Sequence, residues 1–268
     1  MINMLKIKDG TDYFELLDRI DAERIMLADQ LWMTSYDKRF YTLRHDVDRK
    51  IENGMLLAEA EYERGIRSTF FLLHSSPYFD YSDFFLNCCR SLERMGHKIE
   101  LHNDALGEWH KRKEAGEPEN QIASPRAILR KPLGWLRGHG FDVIGTAAHG
   151  NKLCGKYGFN NYHIFSDWPK PESNKIDHQQ ISMADLGLEY EVYHLPEVAG
   201  FSDGGGHWRG GVRKVACPYE WGWSHKNWPP EMRNDRRALR DAVIDIFNKI
   251  PAGVLHILIH PNWWRYEQ

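Results

Sequence analysis

Four segments of this 268-residue chain carry apolar runs that end on histidine or aspartate: "RHDVD" (44 to 48), "ELHND" (100 to 104), "AAHGN" (147 to 151) and "LIHPNWW" (258 to 264). An unpaired charge at the end of a buried strand costs several kcal/mol, so such residues form either a structural ion-pair knot or a reactive site. In an extended segment Asp46 and Asp48 share a face about 6.6 Å apart, while His45 points the other way. By the same parity His102 lies with Glu100 and Asp104, opposite His97, and His260 lies with His256. Two histidines and one carboxylate are a common ligand set for divalent Zn, Fe, Mn, Co or Ni. Asp48, His102 and His149 make the best such trio. Asp46 and His260 then supply an acid and a base, as hydrolysis of an amide or ester requires.

Parallel α/β folds place their sites at the C-terminal ends of strands, and the pattern predicts that kind of frame. Strands are expected at 39–46, 67–75, 97–104, 141–149 and 253–260, with helices at 51–65, 83–96 and 231–250 between them. Ser124-Pro125 opens a further helix that Pro132 is expected to kink or divide. The Glu/Lys-rich stretch 107–123 reads as a polar insertion. From Asn151 to Trp228 the chain is rich in Gly, Trp and Pro and reads as short strands, including 188–195 and 210–217, joined by long loops. The βαβα order argues for a parallel sheet, closed into a barrel or left open.

Composition narrows the function. The chain has 42% hydrophobic and 27% charged residues, which is ordinary for a globular protein. A net charge of −3 leaves no electrostatic footprint for nucleic acid or an anionic membrane, so a neutral or polar small molecule is the expected partner. There is no internal repeat and no Gly/Ser linker, so 1–268 is expected to be one domain. The N-terminal segment lacks a signal-peptide core and no stretch is long and apolar enough to span a bilayer, which predicts a cytoplasmic location. Cys88, Cys89, Cys154 and Cys217 form no C-x-x-C pair and read as free thiols.

Taken in order, "LRHDVD", "STFFLL", "GHKIELHND", "AAHGN" and "LIHPNWW" resemble the polysaccharide deacetylase family (carbohydrate esterase family 4), in its divergent branch with a His-Asp-x-Asp first motif. The resemblance spans residues 39–264. It implies a distorted (β/α) barrel of about seven parallel strands and a hydrolase that removes acetyl groups from acetamido or O-acetylated sugars, such as precursors of cell-surface polysaccharide. It also implies a divalent metal, zinc first, with cobalt, manganese, nickel or iron as alternatives. Asp46 resembles the family's catalytic base, Asp48 its metal-binding aspartate, His102 the first histidine of its His-x-x-x-His motif, and His260 its general acid. The second histidine of that motif would fall at Leu106, so His149 or Asp104 completes the set. "FSDGGGHWRGG" (201 to 211) and "FSDWPK" (165 to 170) add Asp203 or Asp167 to orient His260 or bind substrate, and Arg209 to contact an acyl oxygen.

The tryptophans concentrate toward the C-terminus, and flat indole faces suit stacking on sugar rings. Trp208, Trp263 and Trp264 are accordingly expected to line the substrate together with Asp104 and Asp167. Three other readings fit the same residues: a non-catalytic glycan-binding protein, a hydrolase of another C–N bond such as a formamide or cyclic amide, and an Fe(II) site for oxygen chemistry. The lack of a jelly-roll strand pattern counts against the last.

Overall fold

The computed structural model describes residues 5–6, 12–31, 37–206, 208–212 and 236–266. Its elements, in chain order, are β1 (Leu5–Lys6), α1 (Tyr13–Leu17), α2 (Ala28–Leu31), β2 (Arg39–Val47), α3 (Ile51–Tyr62), β3 (Thr69–Leu73), α4 (Asp83–Arg94), β4 (Lys98–Asn103), α5 (Ala105–Glu114), α6 (Pro125–Gly138), β5 (Gly145–Ala148), α7 (Lys152–Tyr157), β6 (Tyr190–Glu191), β7 (Ala199–Ser202), β8 (Arg209–Val212), α8 (Arg236–Phe247), β9 (Gly253–Ile259) and β10 (Arg265–Tyr266). The chain forms two compact units, one of residues 1–70, 87–98 and 196–268, the other of 71–86 and 99–195. This is the α/β class expected for a polysaccharide-deacetylase-like (β/α) barrel: strands alternate with helices, and within each unit the main strands pair in parallel except at β8.

In the first unit the order is β2-β9-β7-β8. β2 pairs β9 in parallel from Arg39↔Gly253 to His45↔Ile259, β9 pairs β7 in parallel, and β8 returns antiparallel. β9 is a near-continuous apolar run, and β2, although it carries Arg44, His45 and Asp46, is buried from Tyr41 to Val47, as a strand covered on both faces is. Their side chains pack with α1, α3 and α8 into a core that includes Tyr13, Leu43, Leu57, Trp208, Val243, Phe247 and Ile257. In the second unit β4, β5 and β6 are successive parallel neighbours. There His102 pairs Ala147 and Asn103 pairs Ala148.

Several boundaries and element types differ from the sequence reading for physical reasons. Helix α5 begins directly after β4 and occupies much of the supposed polar insertion; Lys111, Arg112 and Lys113 lie in its last turn, where cations favour the helix dipole. Helix α6 runs unbroken through Pro132, because Pro132 is itself buried beside Leu129, Leu133 and Leu136 and this packing outweighs one lost backbone hydrogen bond. Ser124 does cap it, accepting from the Ala127 N–H at 3.3 Å. The expected strand 188–195 is extended only at Tyr190–Glu191, after which Val192–His194 forms a 3-10 turn because the Glu191 carboxylate takes the Tyr193 N–H. Residues 213–217 of one predicted strand, 231–235 of the last predicted helix, Cys217 and His207 lie outside the described residues. Cys88, Cys89 and Cys154 are free thiols.

Candidate functional site

In the first unit the order β2-β9-β7 aligns three strand ends. Asp46 and Asp48 leave β2, His260 follows β9, and Asp203 follows β7. Alternation along β2 sends His45 and Val47 toward the helix side: His45 Nε2 lies 2.7 Å from Glu61 Oε1, and a Cβ on Gly54 of α3 would sit 3.5 Å from Val47. Arg44, Asp46 and Asp48 therefore share the opposite face. Arg44 and Asp46, both buried, form an ion pair at 3.2 Å. This pairing with Arg44 fixes where the Asp46 carboxylate points.

Asp203 is fully buried and accepts four times. The His260 backbone N–H donates to both of its oxygens at 2.9 and 3.0 Å, His260 Nδ1 donates to Oδ1 at 2.6 Å, and Trp264 Nε1 donates to Oδ2 at 2.8 Å. Burial alone would lower the His260 pKa. The charge and hydrogen bond of Asp203, with the charges of Asp46 and Asp48, override it and lift His260 to about 9. At neutral pH His260 is an imidazolium whose Nε2–H is available to donate, the state a general acid needs.

Trp264 is thus tied to Asp203, and with Trp208 it is buried in the first unit's core. Trp208 packs edge-to-face on Phe201 and on Trp264, so two of the three tryptophans expected to line substrate have their faces against protein. Trp263 is half-buried, and Arg209 is exposed on β8. Beneath lies a polar network that sequence reasoning missed: Glu61, fully buried, accepts from Tyr13 Oη, from His45 and, at 2.5 Å, from Ser68 Oγ, while His97 lies 3.1 Å from Ser68 Oγ. Burial would raise Glu61, but the charges and hydrogen bonds of His45, with His97 and Ser68, hold it below the usual carboxylate range. His45 and His97 are structural, as their parity suggests.

In the second unit the ends of β4 and β5 bring His102 and His149 together, ring centroids 5.1 Å apart and nearly perpendicular. His102 has its Nδ1 on a carbonyl, and His149 Nδ1 faces a carboxylate. His102 Nδ1 is 2.9 Å from the Ala147 carbonyl and His149 Nδ1 is 3.4 Å from Asp104 Oδ2. A neutral imidazole that donates from Nδ1 presents the Nε2 lone pair, which is how metal-ligating histidines are oriented. The donor set therefore fits a divalent borderline metal.

Asp104 is the hub of this unit's cluster. Oδ1 accepts from Asn151 Nδ2 at 2.6 Å and Asn161 Nδ2 at 3.0 Å; Oδ2 accepts from Ser75 Oγ at 3.1 Å and faces His149. Burial would raise its pKa, but the polar groups around it, His149 first and the Ser75 hydroxyl among them, leave it below the ordinary range. His74, driven down to about 4 chiefly by burial, accepts the Asp104 N–H at 3.0 Å as a neutral ring. Asn161, fully buried, ties α5 to the loop after β5, accepting from the Leu106 and Gly107 N–H groups and donating to the His149 carbonyl at 2.7 Å. Leu106 is buried core, so that position offers no ligand. A Cβ on Gly107 would lie 2.2 Å from Asp104 Oδ1 and 2.3 Å from Asn151 Nδ2, so any larger residue there must push those side chains aside. Asn151, Asn161, Ser75 and His74 were not singled out in the sequence; only the asparagine next to the histidine in "AAHGN" hinted at such a cradle. Asp167 is exposed and accepts the Met183 N–H at 3.1 Å, capping a turn.

The fold is similar to that of a Streptococcus mutans CE4 esterase, with 13% identity over 90% of this chain and 82% of that chain and a TM-score of 0.44. It is also similar to the catalytic domain of a peptidoglycan N-acetylglucosamine deacetylase from Eubacterium rectale, with 15% identity over 85% and 78% of the two chains and a TM-score of 0.35. No family model and no curated protein matches the chain. No helix among the described residues is long and apolar enough to cross a membrane.

Proposed function

We propose that this protein is a metal-dependent carbohydrate deacylase of the polysaccharide deacetylase kind, the whole chain acting as one catalytic domain. The observation that carries the reading is the His102–His149 pair, two rings 5.1 Å apart, with His102 Nδ1 on the Ala147 carbonyl and His149 Nδ1 facing Asp104. In this reading Asp48, His102 and His149 would each supply one ligand atom, and zinc is the first candidate for that set. A divalent ion held there would supply Lewis-acid polarisation of the acyl oxygen and an acidified water. Asp104, with three donors on its two oxygens and His149 beside it, is a positioning residue for His149 rather than the third ligand.

The chain's own groups supply the proton transfers. Asp46, its carboxylate oriented by Arg44, accepts a proton from the attacking water. His260, held as an imidazolium by Asp203, gives its Nε2 proton to the leaving amine or alcohol as the acyl carbon–heteroatom bond breaks. The products are a carboxylate and a sugar amine or alcohol. The motif resemblance points the substrate toward acetamido and O-acetylated sugars.

Acetate release from a panel of N-acetylglucosamine, its oligomers, its nucleotide-linked form and O-acetylated sugars tests the reading. Zinc-loaded protein is expected to release acetate from at least one of them, and chelator-treated protein and Asp46→Asn to release none. Formate release or ring opening from formamide or cyclic-amide substrates, without acetate from any sugar, would overturn it.

A further inference from the structure

The sheet face of the first unit that carries Asp46 holds more buried polar groups than a proton acceptor needs. On β2 the alternation that places Arg44 and Asp46 there places Thr42 beside them, fully buried. On β9 Leu255, Ile257 and Ile259 belong to the core on the helix side, so His256 and His260 lie on the Asp46 face, and register sets His256 next to Thr42. On its other side His256 pairs with Gly200 of β7, which has no side chain. Glu197, in the segment leading into β7, meets the ring instead, with Oε2 3.5 Å from His256 Nδ1 and both side chains largely buried.

Burial lowers the pKa of His256, and the charge of Arg44 adds to that against the pull of Glu197 and Asp46. The ring is therefore neutral at neutral pH. With its Nδ1–H assigned to Glu197, Nε2 is a bare acceptor; it is buried and no described residue bonds to it, and the same holds for Thr42 Oγ1. Buried acceptors are costly unless they serve a donor or a cation nearby. The cation whose charge reaches His256 is Arg44, two residues along β2 from Thr42, a planar fork of donors whose Nη2 donates to Asp46 Oδ2 at 3.2 Å. An apolar side chain at 256 would let that guanidinium swing, and a charged ring would push it away. Either change would leave Asp46 unaimed without touching His260.

We infer that Glu197 and His256 are a positioning pair for the base: Glu197 orients the ring, the neutral ring with Thr42 holds the Arg44 guanidinium, and Arg44 aims the Asp46 carboxylate at the attacking water. The inference rests on the deacylase reading for the role of Asp46, and the test separates the two. In isotope-labelled full-length protein the Arg44 Nε–H resonance, assigned with Arg44→Lys, reports how firmly the guanidinium is held. Its hydrogen exchange is expected to speed up by about tenfold or more in His256→Leu and in Glu197→Ala, and to stay within about threefold of the natural rate in His256→Gln, which keeps an acceptor at the end of the side chain. Zinc-loaded forms are assayed in parallel on the sugars of the acetate-release panel. There kcat is expected to fall by about 10- to 100-fold in His256→Leu and Glu197→Ala with KM within about twofold, and to recover in His256→Gln. Unchanged Arg44 exchange in whichever of His256→Leu and Glu197→Ala keeps native circular dichroism overturns the positioning role, as does faster exchange with kcat unchanged. A fall in kcat that only follows the folded fraction in urea unfolding overturns it too. Faster exchange as expected, with no acetate released by any form including the natural protein, upholds the hold on Arg44 and removes the deacylase reading.

Discussion

Replacing Asp203 by asparagine keeps the shape of the carboxylate and removes the charge that holds His260 protonated. His260 stands at about 9 against an ordinary 6.5, and at about 1.4 kcal/mol per pKa unit that difference is worth roughly 3 kcal/mol. Its side chain is 16% exposed, so solvent screening removes little of it. Because the folded pKa is raised, this stability is fully present below pH 6.5 and is lost as pH rises through about 9. Asp203→Asn is expected to return the His260 midpoint to within about one unit of 6.5, read from its ring resonance in a carbon–proton NMR titration of chelator-treated protein and assigned with His260→Gln. The variant is also expected to lose most of the stability difference between pH 6 and pH 10 in urea unfolding. In the zinc-loaded enzyme the alkaline limb of kcat should move to lower pH by the same amount. A His260 midpoint that stays near 9 in Asp203→Asn would refute the assignment of Asp203 as the source of the shift.

Asp104→Ala leaves His149, Asn151 and Asn161 without their shared acceptor, and zinc affinity measured by competition with a chelating dye is expected to fall by about 10- to 100-fold. Gly107→Ala drives a methyl group into Asp104 Oδ1 and Asn151 Nδ2 and is expected to lower zinc affinity without touching a ligand; unchanged affinity would show that the cradle tolerates displacement. Glu61→Gln places an amide against Tyr13, His45 and Ser68 and is expected to cost about 3 kcal/mol in urea unfolding at pH 7. Since the Glu61 pKa is depressed on folding, its contribution is present above its ordinary pH range and is lost as pH falls, so the gap between the two proteins should narrow in acid.

The strand ends were the most legible part of the molecule. β9 reads as an apolar run whose end at His260 marks the rim, and β2 as an aromatic and β-branched run leading into the His-Asp pair, so both end within one residue of expectation at Val47 and Ile259. Parity separated His45 from Asp46 and Asp48 for the same reason. What the sequence did not disclose depends on partners distant along the chain. Asp104 reads as a candidate ligand until Ser75, Asn151 and Asn161 are seen to occupy it, and Trp208 and Trp264 read as sugar platforms until Phe201, Tyr13 and Asp203 are found against them. Helix α5 was hidden because its charged exposed face outweighs the short apolar start at Ala105 and Leu106.

The central claim is that Asp48, His102 and His149 hold a catalytic divalent ion. Anomalous diffraction at the zinc edge from crystals of the zinc-loaded protein tests it most directly. The account predicts one full-occupancy peak about 2.0–2.1 Å from Nε2 of both His102 and His149 and about 2.0–2.2 Å from a carboxylate oxygen of Asp48. A peak bound elsewhere, or none within reach of the two histidines, would contradict it.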